Sequence, residues 1–155
     1  MTSLLIIHSV YIQIIIALLL GALLGIERSV AGKTAGMRTY GLVAMGAALF
    51  IILSKLIIPV VDPSSPTSVY VLQGLIVGIG FIGGGAIMHN HSHNQDHTSG
   101  ITTAAGLWIT SGIGATVGFG YISIAVFVTL ATLFAFTVLW FIEHRITNTG
   151  LDKTK

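Results

Sequence analysis

Gly25-Ile-Glu-Arg28-Ser-Val-Ala-Gly-Lys33-Thr-Ala-Gly-Met-Arg38 decides the fold. This short segment holds three of the seven Lys and Arg in a chain of 155 residues. Three more, Arg145, Lys153 and Lys155, fall in the C-terminal tail, and between the two clusters only Lys55 is cationic. Working outward, Leu4–Ile26 has no formal charge, and at about 1.5 Å per residue it reaches roughly 34 Å, enough to cross a bilayer with some tilt. On the other side, Thr39–Val61 forms a second span, with Lys55 close enough to its end to snorkel.

The rest of the chain repeats this alternation. Asp62-Pro-Ser-Ser-Pro-Thr-Ser68 breaks the second span, because two prolines and four hydroxyl residues cannot continue a lipid-exposed helix. Val69–Met88 is a third, glycine-rich span, and His89–Gly100 is a polar loop. Ile101–Val117 and Tyr121–Ile142 are the last two spans, joined by a tight hairpin at Gly118-Phe-Gly120, and Glu143–Lys155 is a short polar tail. Residues 1–142 thus read as an all-α polytopic domain, five transmembrane helices in a tightly packed glycine-rich bundle, with spans at about 4–26, 39–61, 69–88, 101–117 and 121–142.

Composition agrees. Mean hydropathy is +0.93 and charged residues make up only 8%, against roughly 25% in soluble domains, so lipid is the solvent for much of the chain. Without cysteine there are no structural disulfides or thiolate metal sites. A net charge of +2 gives no basic surface for nucleic acid. Met1–Ser9 lacks a basic n-region and no A-x-A-like site precedes Glu27, so the first apolar segment is expected to be retained. Five spans put both cationic clusters on one face. The positive-inside rule makes that face cytoplasmic, with the N-terminus outside and the C-terminus in the cytoplasm.

Small residues dominate the spans and let helices approach closely in lipid. Gly21-x3-Gly25, Gly74-x3-Gly78, Gly80-x3-Gly84 and Gly114-x3-Gly118 match the small-x3-small pattern. Gly74, Gly78 and Gly85 lie on one stripe of the third span and Gly80 and Gly84 on another, which places that helix between two neighbours at the bundle centre. Gly83-Gly84-Gly85 either packs closely or breaks the helix to line a cavity. Gly106 is the corresponding small residue in the fourth span, whose hydroxyls at Thr102, Thr103, Thr110, Ser111 and Thr116 bond to their own or a neighbouring helix. Trp108 is either wedged among these small residues or faces lipid. Gly78-Ile-Gly80-Phe-Ile-Gly83 matches G-x-G-x-x-G, but it lies inside an apolar span without a preceding strand, so it is not a dinucleotide site.

Two groups of residues could carry function. Glu27, Arg28, Lys33 and Arg38 read either as an ion-pair cluster organising a cytoplasmic vestibule or binding an anionic headgroup or protein, or as orientation signal and helix capping. His89, His91, His93 and His97, with Asp96, read either as a weak divalent-metal contact or as a solvated connection. Imidazoles are poor magnesium ligands. No other cofactor is expected. No acidic or basic residue lies mid-span, which argues against pumping or proton coupling, although a pore lined by carbonyls and hydroxyls stays open. No triad or carboxylate dyad can be assembled, so enzymatic activity is not expected.

Four segments together resemble the MgtC/SapB family of bacterial inner-membrane proteins: Gly21-Ala-Leu-Leu-Gly-Ile-Glu-Arg28, Ala35-Gly-Met-Arg-Thr39, Gly78-Ile-Gly-Phe-Ile-Gly-Gly-Gly85 and Gly100-Ile-Thr-Thr-Ala-Ala-Gly-Leu-Trp108. The resemblance implies five transmembrane helices with a periplasmic N-terminus, a role in adaptation to low magnesium, and regulation of a membrane partner such as the F-type ATP synthase. It singles out Glu27, Arg28, Arg38, Thr39, Thr102, Thr103 and Trp108 as signature positions. Departures are the short tail in place of a C-terminal ACT-like domain, Tyr70 and Gly74 where the family often has arginine and glutamine, and histidines in a loop that is usually basic. The function expected is therefore ion homeostasis through helix–helix contact with a second copy or another inner-membrane complex. The alternatives are a small divalent-cation channel or transporter, and a metal sensor built on the histidine loop.

Overall fold

A computed structural model of the chain describes residues 2–61, 67–92 and 95–150. Residues 62–66 of the expected break, His93, Lys153 and Lys155 lie outside the described residues. The elements in order are α1 (Thr2–Val30), α2 (Met37–Val61), α3 (Thr67–Ala86), β1 (Met88–Ser92), β2 (Gln95–Ser99), α4 (Ile101–Phe119), α5 (Ile122–Phe134), one π-helical turn (Ala135–Leu139) and α6 (Trp140–Gly150). The residues capping the π turn keep right-handed helical dihedrals, so α5, the turn and α6 run as one rod. The polar tail is therefore helical from Glu143 as far as Gly150.

Among the described residues, four stretches are long and apolar enough to cross a bilayer: Ser9–Val30, Met37–Leu56, Ser68–Ala86 and Ile122–Ile146. In lipid, with no water to satisfy peptide groups, such segments must be helical. α4 is not one of the four, since its threonines, serine and glycines dilute its apolar content. Instead it is the most enclosed helix, with Gly106, Leu107, Thr110, Ser111, Ile113, Gly114, Val117 and Gly118 all buried. It packs against α1, α2, α3 and α5.

α3, expected at the centre, lies at the edge and is the least buried of the four apolar helices. A Cβ added at Gly74, Gly78, Gly80, Gly84 or Gly85 would meet nothing within 4 Å, so these glycines do not hold the bundle together, and the helix runs unbroken through Gly83–Gly85. Close contact is concentrated elsewhere. A Cβ at Gly21 would sit 2.5 Å from the Tyr40 carbonyl oxygen, and one at Gly25 2.5 Å from Met37 Cα; these contacts fix α1 antiparallel to α2. Gly114 and Gly118 lie on the backbone of Ala44 and Ala48, so α4 runs parallel to α2. Such contacts matter because helix association in lipid relies on van der Waals packing and not on expulsion of water.

The ends of α4 show why it fits. Gly100 has φ 92° and Gly120 φ 95°, left-handed conformations that favour glycine. At the far end Gly120 N–H donates to Thr116 and Val117 carbonyls, and Lys55 Nζ donates to the Gly118 and Phe119 carbonyls at 3.4 Å each. A cation at a helix C-terminus opposes the helix dipole favourably, so exposed Lys55 also ties α2 to the end of α4.

The polar loop is replaced by an antiparallel hairpin, with Met88 paired to Ser99, His89 to Thr98, Asn90 to His97, His91 to Asp96 and Ser92 to Gln95. α3 ends where α4 begins, with Gly100 against the Ala86 carbonyl. The chain must therefore leave and return side by side, and pairing satisfies the peptide groups of both arms.

Candidate functional site

At the end of the bundle where α1 stops and α2 starts, Ser29 ties the two helices together. Its hydroxyl donates to the Gly25 carbonyl at 2.9 Å and accepts the Met37 N–H at 3.2 Å, which occupies one of the donors left open at a helix N-terminus. One turn inward, four helices converge on a buried polar cluster. Arg28 is 3% exposed, and its Nε and Nη2 both donate to the Glu27 carboxylate, the latter at 2.6 Å. The guanidinium carbon lies 3.8 Å from the centroid of the Phe136 ring, a cation–π stack worth about 2 kcal/mol when desolvated.

Phe136 reaches Arg28 from the π turn, and it also abuts α4. A Cβ at Gly106 would collide with both the Tyr40 hydroxyl and the Phe136 ring, so only glycine leaves room for the two rings there. Tyr40, fully buried, donates its hydroxyl proton to the Thr103 carbonyl at 3.3 Å. Glu27–Arg28 on α1, Tyr40 on α2, Thr103–Gly106 on α4 and Phe136 thus form one clamp. A buried, paired arginine of this kind fixes geometry: its donors face a carboxylate and a ring and are turned away from solvent.

The signature residues divide between three places. Glu27, Arg28 and Thr103 join the clamp. Arg38 and Thr39 are exposed and stand at the mouth of a groove of about 970 Å³ between α2 and α3, floored by Ser111. Trp108 is half exposed and lines a smaller groove between α3 and α4, while Thr102 is exposed beside the hairpin. Tyr40 and Phe136 were not singled out from sequence. Tyr40 follows directly on Arg38-Thr39 and could have been noticed as a lone aromatic among small residues; Ala135-Phe-Thr-Val-Leu139 carries no comparable signal.

The hydroxyls of the inner helices are committed locally. Thr110 donates to Gly106 at 2.7 Å, Thr116 to Gly112 at 2.8 Å and Thr129 to Ala125 at 2.8 Å, each one turn back on its own helix. At the hairpin, the register puts His89, His91 and Asp96 in phase and His97 out of phase with them. The side chains from His89 to His97 on which the metal expectation rests lie outside the described residues. Among the described residues, no three His, Asp or Glu gather as metal ligands.

The profile described as the MgtC family matches residues 14–145. Among curated proteins, the chain is 38% identical over 135 residues to SrpB of Synechococcus elongatus, covering 80% of this chain and 72% of that protein. It is 34% identical over 145 residues to the Escherichia coli protein named "Putative magnesium transporter YhiD", covering 88% of this chain and 63% of that one. Protein MgtC of Salmonella typhimurium is 38% identical over 135 residues, covering 87% of this chain and 54% of that protein. The chain thus spans little more than half to about three quarters of these relatives. No solved structure matches it.

Proposed function

The chain belongs to the MgtC family, and on that premise we propose that it is a non-enzymatic protein of the bacterial inner membrane, serving magnesium or ion homeostasis by docking another membrane protein on α3. The observation that carries the reading is the uncovered stripe of α3 bearing Gln73, Gly80 and Gly84. Both glycines have open space where a Cβ would stand, and Gln73 is exposed without a hydrogen bond to any described residue. A carboxamide facing hydrocarbon gains by finding a partner across a helix interface, and small residues beside it allow that helix close.

In this reading α4 is a fifth crossing, sheltered by its neighbours, with the N-terminus outside and the C-terminus in the cytoplasm. The Glu27–Arg28–Phe136 clamp keeps the other helices fixed so that α3 alone presents a docking face. Threonine hydroxyls bonded to their own helices favour contact over conduction, since they are not offered to a passing ion. Magnesium flux into proteoliposomes containing the full chain tests this. Uptake equal to protein-free vesicles under an imposed gradient is expected; uptake that Gly80→Leu abolishes would make the protein a carrier or channel and overturn the proposal.

A further inference from the structure

The side of α3 turned toward α2 is distinct from its outward stripe, and it forms a groove with a single charged mouth. Along α2 the lining runs from Arg38 and Thr39 through Leu42 and Gly46 to Phe50; α3 contributes Gly74 and Gly78 among others. Arg38 is exposed and has no hydrogen bond or ion pair to any described residue, so its guanidinium is uncompensated. The wall beyond it is apolar, and Gly46, Gly74 and Gly78 leave the groove wide.

Size selects the occupant. Arg38 to Phe50 is about 18 Å along the helix, close to the roughly 15 Å depth of one leaflet and well short of the full 30 Å hydrocarbon core. A crossing helix would need the full depth, whereas the acyl chains of one leaflet match the length of this groove of about 970 Å³, and its single cationic mouth complements an anionic headgroup. We propose that the α2–α3 groove holds a phospholipid of the leaflet that Arg38 faces, with acyl chain against Gly46, Gly74 and Gly78 and an anionic phosphate headgroup on Arg38. This is independent of the partner reading, which uses the opposite flank of α3.

Native mass spectrometry of the purified full chain, exchanged into micelles carrying phosphatidylglycerol or phosphatidylcholine of the same acyl length, tests the assignment. The wild type is expected to retain one lipid and to prefer phosphatidylglycerol about fivefold, the effect of one basic side chain at a membrane surface. Arg38→Gln should retain lipid but lose the preference. Gly78→Leu, which places its side chain into open space, should lose retention of both lipids. Equal retention of the two headgroups by the wild type, wild-type retention by Gly78→Leu, or a co-purified polypeptide in place of lipid would each overturn it. If Gly78→Leu fails to fold by circular dichroism, the Arg38→Gln comparison decides.

Discussion

Gly114→Ala should weaken the bundle although it adds a good helix former. The new Cβ would overlap the Ala44 carbonyl oxygen and lie 2.7 Å from its carbon and 2.8 Å from Ala44 Cα. Carbon atoms pack at about 3.5 Å or more, so α2 and α4 would have to part by at least about 0.8 Å. The obstruction is backbone, which cannot swing aside as a side-chain tip would. Overpacking of this kind costs about 2–3 kcal/mol; alanine returns up to about 1 kcal/mol of helix propensity, leaving a loss of about 1–2 kcal/mol. Gly112, on the same helix, has nothing within 4 Å, so Gly112→Ala should gain up to about 1 kcal/mol. Unfolding in mixed micelles, followed by the fluorescence of Trp108 and Trp140, reads both. If Gly114→Ala proved as stable as Gly112→Ala, the parallel α2–α4 contact would be wrong.

Glu27→Gln should cost about 3 kcal/mol, the low end for orphaning a buried charge, because the Glu27 side chain keeps 19% of its exposure; Glu27→Gln with Arg28→Met should recover most of it, and a double mutant no better than the single would show the pair is not coupled. Lys55→Met should lower stability by about 0.5–1 kcal/mol through the freed α4 carbonyls, and high salt that erased the wild-type advantage without affecting the variant would confirm its electrostatic origin. The natural absence of cysteine makes single-cysteine labelling clean: in spheroplasts an impermeant thiol reagent should reach Tyr121→Cys, but Lys33→Cys and His144→Cys only after permeabilisation. Equal labelling of positions 33 and 121 from outside would remove α4 as a crossing.

How much of this was legible in sequence depended on which forces leave a local mark. Lipid enforces helices on long apolar runs, so the helices were readable, but α4 continues past the expected end at Val117, through Gly118, to Phe119, and only at Gly120 does left-handed backbone stop it. α1 extends beyond its apolar run to Val30, since helix continues through the interface until Gly32 turns at φ 66°. Counting glycine faces failed for α3 because a flat face permits a neighbour without supplying one. The centre went to α4, where Gly106, Gly114 and Gly118 meet actual backbones and rings. Likewise Arg28 and Arg38 are both interfacial cations in sequence, yet one is stacked on Phe136 and the other stands open. That difference comes from a π turn shifting one ring, and no periodicity announces it.

The docking face on α3 is tested most directly by a photo-crosslinking residue at Val77, 71% exposed and one turn from Gln73 on the same stripe, compared with one at Leu19 on α1, 60% exposed, in native membranes. A discrete protein adduct from position 77, lost on Gly80→Leu, with only lipid adducts from position 19, is the expected outcome. Lipid adducts alone at both positions would contradict it.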